Sequence, residues 1–196
     1  MPKTFPLKPL LKPLSDLEKL MQSCSCPWMI IGGVAVSLLA EPRFTADVDV
    51  VILIEDVHFD RMFKSLEEYG FEPRLPKALE FARQNRVLLL KHIQSGISLD
   101  VSLGALPFEQ EALKRSRPHK VGKITLRLPT IEDLIIFKSV AHRSKDLWDI
   151  QELISLSGRR LDRKYITKYL NEFAEVLDRP EIVNDVKKMF CGQFKK

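Results

Sequence analysis

Trp28-Met-Ile-Ile-Gly-Gly33 and, after thirteen intervening residues, Asp47-Val-Asp-Val-Val-Ile-Leu-Ile54 are the stretches on which the fold turns. The first reads as a short apolar strand running into two glycines. Val34 to Ala40 continues as a compact helix, stopped at Glu41-Pro42 because proline disfavours helix at the residue before it. The second stretch is β-branched and apolar apart from its two acids, the strongest strand pattern in the chain. Side chains two apart on a strand share a face, their Cα atoms roughly 6–7 Å apart. Asp47 and Asp49 therefore point the same way at one end of a strand whose remainder is apolar. Partly dehydrated acids placed side by side repel each other and call for a cation or for protons.

Outward from this strand, Ile97-Ser-Leu-Asp-Val-Ser-Leu103 alternates its apolar residues onto one face, leaving Ser98, Asp100 and Ser102 on the other. Laid beside the Asp47 strand, it brings up a third carboxylate. Hard divalent ions such as Mg²⁺ are commonly held by a few carboxylates together with substrate phosphates. Gly32-Gly33, between strand and helix, presents backbone N–H groups at a helix N-terminus, where anions bind. Without side chains there, a phosphate can approach the backbone closely. Each feature alone has a plainer reading: an exposed strand start for the acids, a tight turn for the glycines. No Gly-x-x-x-x-Gly-Lys, Gly-x-Gly-x-x-Gly, His-Glu-x-x-His or Gly-x-Ser-x-Gly occurs. P-loop, Rossmann, zinc-protease and serine-hydrolase chemistries thus lack their motifs.

The rest of the chain divides by pattern. Residues 1–14, punctuated by four prolines, read as an extended arm. Ser15 with Glu18 is expected to cap a helix in capping-box form. Asp56 to Gly70 has helical spacing with Gly70 as its stop. Arg86–Ile93 and Ile97–Leu103 form a hairpin, and Lys123–Leu128 is a further strand before a Thr130 N-cap. Ile131–His142, Lys145–Leu156, Asp162–Leu177 and Pro180–Phe190 all read as helices. The fold class is α+β with an α/β-like head: an α/β core over residues 15–128 and a C-terminal helical region over residues 129–196.

Composition bounds the function classes. A chain of 196 residues, 45% hydrophobic and 29% charged, is globular rather than disordered or fibrous. No apolar run approaches the ~20 residues of a membrane span, so no membrane partner is expected. Three cysteines, an odd number without metal-ligand spacing, and no signal-peptide pattern read as a reduced, cytoplasmic chain. The net charge is +5. Lys114, Arg115, Arg117, Lys120, Lys123 and Arg127 form a segment without acids, readable as a solvated edge or as a surface for phosphates.

Taken together, Ile31-Gly32-Gly33 and Asp47-Val-Asp49 resemble the signature of the DNA polymerase β-like nucleotidyltransferase superfamily. Arg43-Phe-Thr45 before the acids is similar to the Arg-x-Thr-x-Asp-x-Asp form of the toxin-associated AbiEii-type enzymes and of small antibiotic nucleotidyltransferases. Lys138 in Asp133-Leu-Ile-Ile-Phe-Lys138, and Arg143-Ser-Lys-Asp146-Leu-Trp-Asp149, are similar to the downstream motifs of the AbiEii group. The resemblance spans roughly residues 28–156. It implies a small mixed nucleotidyltransferase sheet flanked by helices. By the same resemblance Gly32 and Gly33 would hold a triphosphate. Asp47 and Asp49 would bind Mg²⁺ (or Mn²⁺), with Asp100 as the third carboxylate. Lys138 would contact phosphates, Asp146 would support catalysis from a second tier, and Arg43, with Thr45 beside it, would orient the triphosphate or the acid strand. Lys91 falls near the family's middle basic motif but lacks its Lys-x-x-Arg form.

The implied activity is Mg²⁺-dependent transfer of a nucleoside monophosphate from a nucleoside triphosphate, with release of pyrophosphate. The acceptor would be a hydroxyl of RNA or tRNA, a protein or a small molecule. The AbiEii likeness further implies a toxin with an antitoxin protein as partner. Two other readings stay open: a catalytically silent fold that only binds, and a basic nucleic-acid-binding protein whose acids are structural.

Overall fold

The computed structural model describes residues 5–192. At its centre is a five-stranded sheet of order β1-β2-β5-β4-β3, built from Trp28–Ile31 (β1), Asp47–Ile52 (β2), Phe71–Pro73 (β3), Val87–His92 (β4) and Ser98–Leu103 (β5). β2 and β5 run parallel and the other neighbours antiparallel, as a mixed sheet. Period-two alternation sorts the residues by face. Val48, Val50, Ile52, Leu88, Leu90, Leu99, Val101 and Leu103 are buried, whereas Asp47, Asp49, Leu89, Ser98, Asp100 and Ser102 on the opposite face are half-buried. The polar residues of β2 and β5 thus share the more open side of one sheet.

Helices Leu11–Cys24 (α1), Gly32–Leu39 (α2) and Asp56–Ser65 (α3) contribute Leu14, Leu17, Leu20, Val34, Val36, Phe59 and Met62 to one continuous core. Gly70, at φ +82°, ends the turn that follows α3. Two further helices, Ala78–Asn85 (α4) and Pro107–Arg115 (α5), precede strands. A separate hairpin pairs Arg117–Val121 (β6) with Ile124–Leu128 (β7) and packs on α1 and β1. The helical series follows as Ile131–Ala141 (α6), Ser144–Ser157 (α7), Arg163–Leu177 (α8) and Glu181–Phe190 (α9). Thr130 caps α6, its Oγ1 accepting from the Asp133 N–H at 3.2 Å. α6 packs on α2, α7 and α8, and α7 also touches α2. The helical part therefore abuts the strand-to-helix turn at Gly32.

The N-terminal expectation is corrected. Residues 5–10 form a 3₁₀ helix and α1 starts at Leu11, so residues 5–14 are not an extended arm; residues 1–4 lie outside the described part. Leu7, Leu10 and Leu14 are fully buried, and apolar burial overrides the proline pattern. Pro13 sits in the first turn of α1, where the missing N–H costs no helical bond. Ser15 is accordingly inside the helix rather than its cap. Glu18 instead accepts from the Thr125 N–H at 2.9 Å and ties α1 to β7. Among the described residues no helix is long and apolar enough to cross a membrane.

Candidate active site

Strand register assembles the acids. Asp49 pairs with Asp100 across the parallel β2–β5 ladder, and Asp47 pairs with Ser98 one step along. On the other side of β2, Asp49 faces Ile31 of β1, the last residue before the chain turns at Gly32. The three carboxylates thus stand together on the half-open face, beside the N-terminus of α2. Ile31, the N-cap position of α2, supplies no side-chain cap, and the first amides of a helix lack intrahelical acceptors.

The two glycines are required by close approach. Gly32 has φ +64°, and a Cβ there would overlap the Asp49 carboxylate, 2.6 Å from its Cγ and 2.8 Å from its Cβ. A Cβ on Gly33 would overlap Thr45 Oγ1 and stand 3.0 Å from Thr45 Cβ. Thr45 in turn donates its hydroxyl to Asp47 Oδ1 at 3.0 Å. The glycine pair, the threonine and the two aspartates form one packed unit in which no larger residue fits at either glycine.

Charge is distributed unevenly over the acids. The Asp49 carboxyl is pushed above its ordinary range by burial first, then by the charges of Asp47 and Asp100, with Lys138 and Arg143 pulling the other way. Asp100 is also raised, by burial first, against the lowering effect of Arg74. Arg74 donates from Nη2 to Asp100 Oδ1 and from Nη1 to Ser98 Oγ, the latter at 3.4 Å. Asp49 accepts no side-chain hydrogen bond among the described residues.

Between α6 and α7 lies a buried ionic network. Lys138, 4% exposed, places Nζ 3.0 Å from Asp146 Oδ1 and 2.8 Å from Asp149 Oδ2. Asp149 also receives Arg43 Nη2 at 2.8 Å, which fastens the segment before β2 to α7. Asp146 accepts from the Arg143 backbone N–H at 3.1 Å and from its Nε at 2.6 Å. Burial raises the Asp146 carboxyl, but the hydrogen bonds from Arg143 and Lys138 prevail and hold it below its ordinary value. Arg143 is 58% exposed, and its guanidinium is held protonated by the Asp146 hydrogen bond first, with Asp49 and Asp47 adding to it.

Residues 7–191 match a family model described as "Nucleotidyltransferase of unknown function (DUF6036)". The chain belongs to that nucleotidyltransferase family. Solved structures share its fold. The antibiotic-resistance factor ANT(2'')-Ia aligns at 14% identity with a TM-score of 0.59, over 86% of this chain and 94% of its own. An antigenic nucleotidyltransferase-like protein from Paracoccidioides brasiliensis aligns at 18% identity with a TM-score of 0.52, over 90% and 92%. The lincosamide antibiotic adenylyltransferase LnuA, with lincomycin bound, aligns at 16% with a TM-score of 0.50, over 71% and 92%. At these identities the likeness is one of fold. Among curated proteins none matches the chain.

Within this nucleotidyltransferase the sequence-expected residues fall into two groups. Gly32, Gly33, Thr45, Asp47, Asp49 and Asp100 come together on the sheet. Arg43, Lys138 and Asp146 join the buried ionic network with Asp149. Lys138 is enclosed by two carboxylates, so contact with a phosphate would require breaking both pairs. Arg143 is the exposed cation whose charge reaches Asp47 and Asp49. Its Arg-x-x-Asp spacing to Asp146 is the sequence signal that points to it, as an i,i+3 pair in the first turn of a helix. Arg74, 26 residues before Asp100, leaves no such signal. Lys91 pairs with Glu72 at 2.8 Å.

The basic segment is partly consumed by structure. Arg115 bonds Asp133 at 3.1 Å and lies 4.2 Å over the Tyr165 ring, while Arg127 bonds Ser116. Lys114, Arg117, Lys120 and Lys123 remain exposed.

The donor set fits a hard divalent cation. Among the described residues no three His, Cys, Asp or Glu side chains converge closely enough to hold a metal ion as a cage of their own. Mg²⁺ rarely uses such a cage; one or two carboxylates plus phosphate oxygens and water suit it. Asp47 and Asp49, neighbouring oxygen donors under mutual repulsion, are that kind of set.

Proposed function

We propose that this nucleotidyltransferase moves a nucleoside monophosphate from a nucleoside triphosphate to a hydroxyl acceptor, releasing pyrophosphate. One observation supports this above the others: Asp49 and Asp100 stand abreast on parallel strands, with Asp47 one step along and Gly32 against Asp49. Asp47 and Asp49, with Asp100 as the third carboxylate, would hold Mg²⁺ (or Mn²⁺), which when bound would polarise the α-phosphate and acidify the acceptor hydroxyl. Asp100, on the side away from β1, accepts the hydroxyl proton as the acceptor oxygen bonds to the α-phosphorus. The bond from that phosphorus to the β-phosphate oxygen breaks, and the pair leaves with pyrophosphate. The first-turn amides of α2 and the exposed guanidinium of Arg143 stabilise that leaving charge. Asp146 orients Arg143, and Lys138 with Arg43 keeps Asp146 and Asp149 in place.

Thermal unfolding with each of the four nucleoside triphosphates, with and without Mg²⁺, tests this reading on the native chain and on Asp47→Ala. A ligand at 100 times its Kd stabilises by about 2.7 kcal/mol, or roughly 5–10 °C for a chain this size. The expected outcome is a Mg²⁺-dependent shift for at least one nucleotide, lost in the variant, together with pyrophosphate release. Absence of any shift sinks the proposal.

The sequence resemblance adds a toxin role with a protein antitoxin and an RNA acceptor to this reading, drawing on the cytoplasmic nucleotide pool. Growth arrest on expression of the native chain, and none with Asp47→Ala/Asp49→Ala, is the expected outcome.

A further inference from the structure

Arg74 lies one residue past β3, and its backbone N–H donates to Leu89 O at 2.9 Å. Leu89 pairs with Asp100, and Asp100 with Asp49. Arg74, Leu89, Asp100 and Asp49 therefore form one row across four strands. Neighbouring strands are about 4.8 Å apart, so from β3 to β5 is roughly 10 Å, a span that only a long side chain crosses. Arg74 crosses it and ends on the Asp100 carboxylate. Lys91 of β4, which pairs with Ser98, is committed to Glu72.

Two features separate this pair from the buried ionic network. Arg74 and Asp100 are 30% and 40% exposed, whereas Lys138, Asp146 and Asp149 are at most 4% exposed. An ion pair open to water is weakly held and readily exchanged. Among the described residues the partner of Arg74 is, besides, the one member of the acid row with a cationic hydrogen-bond donor; Asp47 takes a hydroxyl.

We infer that Arg74 is an exchangeable counter-ion: it holds the Asp100 carboxylate in the acid row until a divalent cation takes over its charge. Arg74 is thus a positioning residue for Asp100, and cation and guanidinium compete for one carboxylate. The inference rests on the proposed function, in which the acid row binds a cation.

The experiment is a Mn²⁺ titration followed by electron paramagnetic resonance, on the native chain, R74Q, R74K, D100N and R74Q/D100N, each first checked for native unfolding behaviour. R74Q is expected to bind Mn²⁺ up to about fivefold more tightly, the equivalent of about 1 kcal/mol. R74K should bind close to the native value. In the D100N background, R74Q should have no effect, because the competition no longer exists. Native binding with unchanged or weaker affinity in R74Q overturns this inference and leaves the proposed function standing. An R74Q effect that persists without Asp100 also overturns it. No Mn²⁺ binding by the native chain overturns both.

Discussion

Replacing Gly32 by alanine tests the geometry on which the site depends. Gly32 has φ +64°, and a Cβ there would lie 2.6 Å from Asp49 Cγ and 2.8 Å from Asp49 Cβ, against 3.4–4 Å for ordinary contact. Rotating the carboxylate away relieves the first contact but not the second, because Asp49 Cβ is fixed by the β2 backbone. The left-handed conformation costs a non-glycine residue about 1–2 kcal/mol, and forced overpacking adds about 1–3 kcal/mol. The expected loss is therefore about 2–5 kcal/mol, or roughly 5–15 °C in melting temperature for a chain of this size. Gly96 provides the control: its φ is +71°, yet nothing lies within 4 Å of a Cβ built there. Gly96→Ala should show only the backbone cost of about 1–2 kcal/mol. Urea unfolding of both variants gives the difference directly. If Gly32→Ala loses no more stability than Gly96→Ala, Asp49 does not pack against the turn and the account of the glycine pair fails.

Three further outcomes are expected. Lys138→Met leaves Asp146 and Asp149 short of a buried partner and should destabilise the fold by about 3–5 kcal/mol; a variant of native stability with only weakened nucleotide binding would return Lys138 to a direct phosphate role. Asp49 is raised in the folded state, so folding favours its protonated form, and the deficit appears as pH rises from the unfolded value of 3.8 through the raised folded one. Asp49→Asn should thus stabilise the cation-free protein more at pH 7.5 than at pH 4.5, as read by urea unfolding; an equal gain at both contradicts the assigned repulsion. Arg143→Gln should lower nucleotide-induced stabilisation while costing less than about 1 kcal/mol in the nucleotide-free fold, since its pair with Asp146 is exposed on the arginine side. A nucleotide shift as large as that of the native chain would remove Arg143 from the phosphate site.

The amino-acid sequence by itself determined what short-range periodicity encodes. The period-two pattern of residues 47–52 and 98–103 fixes which side chains share a face, so Asp47, Asp49 and Asp100 were legible as candidates before any strand was placed. The strand-to-helix turn at Gly32-Gly33 and the four helices from Ile131 onward are equally local. Short elements escaped it: β3 has three residues, and α4 enters through Lys77 in the left-handed region, neither carrying a periodic pattern long enough to read. Residues 5–14 escaped for another reason, since Leu7, Leu10 and Leu14 are buried in a core to which distant elements contribute, and α1 packs on β7 far along the chain.

Tertiary structure alone decided the pairings. Asp49 meets Asp100 because β2 and β5 are neighbours in parallel register, and sequence spacing carries no strand order. Arg43 reaches Asp149 across 106 positions and Arg74 reaches Asp100 across 26. Lys138, expected from its motif to contact phosphates, is buried between Asp146 and Asp149, whereas Arg143 is exposed. Which residues carry charge toward the acids depends on burial, and burial is a property of the folded chain.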